Sequence, residues 1–184
     1  MVAKRFFWLI GFVFAVSLLT FSQGWAQMQP KPGTKAPVIT NSYAIEKGGF
    51  GNVLRIYIEA DDPDNDLLRI ATVIEHAGFG RYPTDWVFLK PQYRGHFVGY
   101  LQWNTYNSGG LSEWTQITIK VSVFDKAGNE SNVVVFPYEF VSRLTSNPPP
   151  PAPFNVANLP MLGHVTVSLE DPSRMGADSD RPTD

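Results

Sequence analysis

Four carboxylates within six residues, Asp61, Asp62, Asp64 and Asp66, are the densest chemistry this chain offers. Like charges this close repel one another unless a cation or a neighbouring base offsets them. A hard divalent cation that takes roughly six to eight oxygens is one such offset, which makes calcium the cofactor these residue types suggest, at a weak site in the millimolar range. The loop Lys126–Ser131, entered from Asp125, brings Asn129 and Glu130 as further oxygen donors. The spacing Asp62, Asp64, Asp66 opens like an EF-hand, but Leu67 stands at the obligatory glycine position and Val73 at the bidentate glutamate position. Any calcium site is therefore assembled from two loops, with Asp61, Asp62, Asp64, Asp66, Asp125 and Asn129 as its ligand set. The alternative is a plain solvated turn, because Asp, Asn and Pro are turn formers and Lys126 lies in the neighbouring loop to offset charge.

Aromatic side chains form the second candidate. Tyr82, Trp86, Tyr93, Tyr100, Trp103, Tyr106 and Trp114 fall in one central window, and flat rings with polar tips suit sugar rings and protein partners alike. Trp86, Trp103, Tyr106 and Trp114 are the main candidates for a carbohydrate-binding surface. The competing use of these rings is the core and its covering loops. Catalysis has little to build on: the histidines are His76, His96 and His164, and there is no nucleophile signature, phosphate-cradling glycine loop or histidine pair at metal spacing. The expectation is a protein that is not an enzyme.

The elements that must carry these groups are strands. Leu54–Ala60 alternates Leu54, Ile56, Ile58 and Ala60 against Arg55, Tyr57 and Glu59, the period of a half-buried strand. It runs directly into the acidic loop. Leu67–His76 and Gln116–Asp125 alternate as clearly, the latter with Ile117, Ile119, Val121 and Val123 on one face. Pro37–Ile45, Trp86–Leu89, Phe97–Tyr106 and Asn132–Val141 complete seven strand-like runs, separated by glycine, proline and asparagine turns with no helical periodicity between them. Count, spacing and size predict an all-β, single seven-stranded Greek-key sandwich over residues 36–142. In that topology the loops after the second and sixth strands share one end, which is what would bring the two acidic loops together.

Length, composition and address agree with one exported domain. The 184 residues are 43% hydrophobic and 17% charged, a globular balance. Lys4 and Arg5, the uncharged run Phe6–Phe21 and the small residues at Gly24 and Ala26 read as a signal peptide over 1–26. That apolar run is 16 residues, short of the roughly 20 a membrane-spanning helix needs. Loss of Lys4 and Arg5 leaves 13 of the 15 bases against 17 acids and moves the net charge from −2 to −4, so nothing electrostatic favours nucleic acid. The chain has no cysteine, hence no disulfide, thiolate zinc site or lipid-anchoring cysteine, and core burial must hold the fold. Residues 27–35 read as a linker, and 143–184 as a proline-rich and acidic tail, largely disordered. Within that tail Val165, Val167 and Leu169 alternate, so Gly163–Leu169 is either an incidental apolar patch or a strand added to the sandwich edge or to a partner.

The run Ile56–Leu67 (IYIEADDPDNDL) resembles the second strand and following loop of bacterial immunoglobulin-like and cadherin-like modules, and Ile119–Ser131 (IKVSVFDKAGNES) resembles the sixth strand and its loop in the same superfamily. Together they carry a resemblance over about Ala36 to Val141. It implies an extracellular adhesive, ligand-binding or spacer module rather than an enzyme. With the signal peptide, the expectation is a secreted or periplasmic protein with no membrane span once the signal is removed, and an envelope protein or polysaccharide as its partner.

Overall fold

The computed structural model describes residues 34–49, 51–105, 114–142 and 148–170. The signal peptide expected over 1–26 and most of the expected linker lie outside these residues. Ten strands form two sheets packed face to face, with no α-helix among the described residues. The four-stranded sheet has the order β1 (Val38–Tyr43), β3 (Val53–Asp61), β7 (His96–Asn104), β10 (Met161–Val165). The six-stranded sheet has the order β2 (Lys47–Gly48), β9 (Val134–Phe140), β8 (Gln116–Asp125), β4 (Leu67–His76), β5 (Gly80–Arg81), with β6 (Asp85–Phe88) also paired to β4. This is an immunoglobulin-like β-sandwich: the chain crosses between sheets after β1, β2, β3, β6, β7 and β9, so most neighbours in sequence are split between layers.

Period-two patterning builds the core. On β3, Leu54, Ile56, Ile58 and Ala60 are at most 1% exposed, and on β8 Ile119, Val121 and Val123 are fully buried. Inward residues of the two sheets meet Leu67, Ile70 and Ile74 of β4 and Phe97, Leu101 and Trp103 of β7 in one cluster. Burial of apolar area of this kind stabilises by about 25 cal/mol per Å².

The seven runs expected from the sequence are all strands. The seven-stranded count is not what the structure has, because β2, β5 and β10 add to it. The last of these also corrects the domain boundary at 142. Met161–Val165 lies parallel to β7, with Gly163 opposite Leu101 and Val165 opposite Trp103, and beyond the strand Leu169 is only 4% exposed. Residues 148–170 are therefore part of the sandwich rather than a disordered tail. Gly99 makes this docking sterically possible: a Cβ there would meet the Pro160 carbonyl oxygen at 2.7 Å and the Leu162 side chain at 2.9 Å. The signal was the alternation of Val165, Val167 and Leu169; the prolines before it masked its meaning.

The two layers are also laced at both sides. At one, Asn132 acts as a surrogate strand: the Ile39 N–H donates to its Oδ1 at 2.8 Å and its Nδ2 donates to the Ile39 carbonyl at 3.1 Å. At the other, Asp85 on β6 accepts the Thr166 N–H at 3.1 Å and its hydroxyl at 2.6 Å.

Candidate functional site

The acidic loop is a built turn. Asp62, 4% exposed, accepts the Asp64 N–H on Oδ1 at 3.4 Å and the Asp66 N–H on Oδ2 at 2.7 Å. Asn65 takes a left-handed backbone, φ 57°, which asparagine tolerates in turns. The Asp62 N–H donates to Gly95 and the Leu67 N–H to Arg94, so the loop rests on the turn before β7. The second loop does lie beside it: Leu67 pairs with Asp125 and the Lys126 N–H donates to the Asp66 carbonyl at 3.0 Å. Asp125, 2% exposed, is itself a turn acceptor, taking the Asn129 N–H at 2.8 Å and the Asn129 Nδ2 at 2.6 Å.

Of the six residues the sequence offered to calcium, Asp62, Asp64, Asp66, Asp125 and Asn129 lie on these two adjoining loops. Asp61 points away to His96, 2.8 Å from its Nδ1, and Asp64 accepts the Lys35 N–H at 2.6 Å. The Asn129 amide also donates to the Thr34 hydroxyl at 2.8 Å, so Thr34 and Lys35 belong to the fold although they fall in the expected linker. Among the described residues no three His, Asp or Glu side chains are grouped so as to hold a metal ion. One atom stands out: the Asp66 Oδ1 is buried without a hydrogen-bond partner. Desolvation first, then a side-chain hydrogen bond with Asp62 and the charges of Asp125, Asp62 and Asp64, raise the Asp66 pKa above the ordinary carboxylate value. Crowded carboxylates here favour a proton.

The aromatic candidates separate by exposure. Trp103 is a correction: it is 1% exposed, and its indole N–H donates to the Val167 carbonyl at 2.9 Å, so it is a core residue and no sugar platform. Tyr82 is buried as well, stacked on Phe79 at 4.8 Å, its hydroxyl accepting the Glu170 N–H at 2.9 Å. Tyr93 packs edge-on to Phe97. Tyr106 lies outside the described residues. Trp114 is 65% exposed, in left-handed backbone with φ 71°.

Trp86 has a setting on the outer face of the six-stranded sheet. Register places Phe88 and Phe124 opposite Arg69 from its two sides, and Trp86 opposite Ala71. The Arg69 guanidinium lies 3.9 Å from the Trp86 ring centre and 5.7 Å from that of Phe124, and Trp86 meets Phe124 edge to face at 5.3 Å. Phe88 at 64% and Val135 at 54% stay exposed on the same sheet, and Val133, just before β9, is 50% exposed.

A second aromatic group, on the opposite layer, was not singled out from the sequence as a group. Tyr43, Tyr57 and Tyr100 stand in direct cross-strand register on the outer face of β1, β3 and β7, with ring centres 6.1 and 5.8 Å apart. Phe154 packs on Tyr57 at 5.6 Å, and Arg55 lies 4.9 Å from the Tyr100 ring centre. Outward Tyr57 on β3 was legible; its neighbours needed the pairing register.

No protein-family model matches the chain, and no curated protein matches it. Solved structures it is similar to include the PKD domain of a peptidase from a Thermoplasmatales archaeon, at 16% identity over 59% of this chain and 98% of that one, with a TM-score of 0.38. Fibronectin(III)-like modules of Clostridium thermocellum CbhA match at 15% identity over 61% of this chain and 50% of theirs, with a TM-score of 0.37. A CARDB domain from Pyrococcus furiosus, solved in complex with two metal ions, matches at 11% identity over 58% of this chain and 94% of that one, with a TM-score of 0.33.

Proposed function

We propose that this chain is an exported, non-catalytic immunoglobulin-like module, secreted or periplasmic, that binds a partner at the cell envelope through the outer face of its six-stranded sheet. The observation that carries the reading is the aromatic patch of Trp86, Phe88 and Phe124 around Arg69. A solvent-facing sheet ordinarily alternates polar residues outward, and contiguous exposed apolar surface marks an interaction site. Large aromatics with an arginine stacked among them match the composition of binding hot spots. The test is a pull-down from the native envelope with immobilised wild type and Phe88→Ser, with and without chelator. The reading expects one set of retained proteins that the variant loses and the chelator leaves unchanged.

A second reading, polysaccharide recognition, is favoured by the tyrosine row of the four-stranded sheet, since aromatic rings standing side by side on a sheet face offer stacking surface with hydroxyl tips for hydrogen bonding.

A further inference from the structure

The tyrosine row is the floor of a trough. On one side of Pro150 a cavity of about 630 Å³ opens between Tyr57, Tyr100, Phe154 and the segment reaching Leu159. On the other, a smaller one of about 330 Å³ opens against Tyr43, Val53 and Gln102. Arg55, Tyr57 and Pro150 line both, so the two are lobes of one depression across the sheet. Each is of a size that takes a small-molecule ring, with aromatic and proline side chains and polar groups both in its walls.

Arg55 sets the charge of this trough. It is exposed, and among the described residues it makes no ion pair. The nearest acid along the same strand face, Glu59, is already engaged, 2.6 Å from the Asn41 Nδ2 and 4.0 Å from the His96 Nε2. An unpaired guanidinium above aromatic rings complements one carboxylate held against a flat ring. The chain has a formal net charge of −2, so it offers no overall attraction to a polyanion charged at every unit.

We propose, resting on the polysaccharide reading above, that this trough binds a glycan chain carrying an isolated uronate among neutral sugars. The sugar rings stack on Tyr57 and Tyr100, and the uronate carboxylate meets Arg55. Two lobes joined beneath Pro150 fit a run of linked rings rather than a single one.

Isothermal titration of the full mature chain with two probes tests this: xylotetraose, and a xylo-oligosaccharide of the same length bearing one glucuronate. The expected result is that the acidic probe binds about tenfold tighter or better, as a charge-assisted hydrogen bond provides, and that added salt weakens it. Arg55→Gln, an exposed change, should lower the acidic probe to the affinity of the neutral one. Equal affinity of the two probes for the wild type overturns the uronate assignment and leaves polysaccharide recognition standing. Binding of neither probe at millimolar concentration overturns both.

Discussion

The indole N–H of Trp103, on β7, donates to the carbonyl oxygen of Val167 at 2.9 Å, joining residues 64 positions apart in the chain. It fastens the C-terminal segment into the sandwich alongside buried Leu162, Val165 and Leu169. Leu162→Ala should therefore cost about 2–4 kcal/mol in denaturant unfolding, the usual cost of deleting a buried leucine side chain. A segment lying loosely on the surface would give a change below about 0.5 kcal/mol.

Asn132 holds β1 to the six-stranded layer through both polar groups of Ile39. Asn132→Ala removes two hydrogen bonds and leaves the Ile39 N–H without its partner, so a loss of about 1–3 kcal/mol is expected. Amide exchange should accelerate at Ile39 first.

At the acidic turn, Asp66 has its pKa raised in the folded state. The folded state thus holds a proton that the unfolded chain releases at a lower pH. The stabilising contribution of that proton is fully present below the ordinary carboxylate pKa and is lost as pH rises through the raised one. Asp66→Asn is neutral at every pH, so the melting-temperature advantage of the variant over wild type should open as pH rises through that window and stay constant above it. An advantage that shrinks with rising pH would refute this account of the turn.

Asp62 and Asp125 accept backbone and amide hydrogens, and these bonds are expected to hold the turn in the absence of a cation. Millimolar calcium and EDTA should give the same melting temperature within error. A ligand that binds only the folded state at a hundred times its dissociation constant would add about 2.7 kcal/mol, which a thermal scan resolves easily.

Much of this fold was legible because alternation is local. Leu54, Ile56 and Ile58 on β3 and Ile117, Ile119 and Val121 on β8 announce their faces within a few residues, and the acidic loop announces its turn by Asp62 and Asn65. The rest depends on which strand lies beside which. Trp103 looked available for a ligand because its strand register was unknown; it lies on the inward face of β7 with Phe97 and Leu101, opposite buried Leu54. Tyr43, Tyr57 and Tyr100 are distant in sequence and form a row only through two antiparallel registers. The acidic loops were legible as residue types and they do meet, but that Asp62, Asp64 and Asp125 accept backbone N–H groups was not, because hydrogen-bond direction is invisible in residue types.

The most direct test of partner binding by the six-stranded sheet is site-specific photocrosslinking in intact cells, with a photoreactive phenylalanine analogue at position 88 and, as a control on the opposite layer, at exposed Thr40. The account predicts a discrete crosslinked species from position 88 and none from position 40. Adducts from position 40 alone, or the same adduct from both, would contradict it.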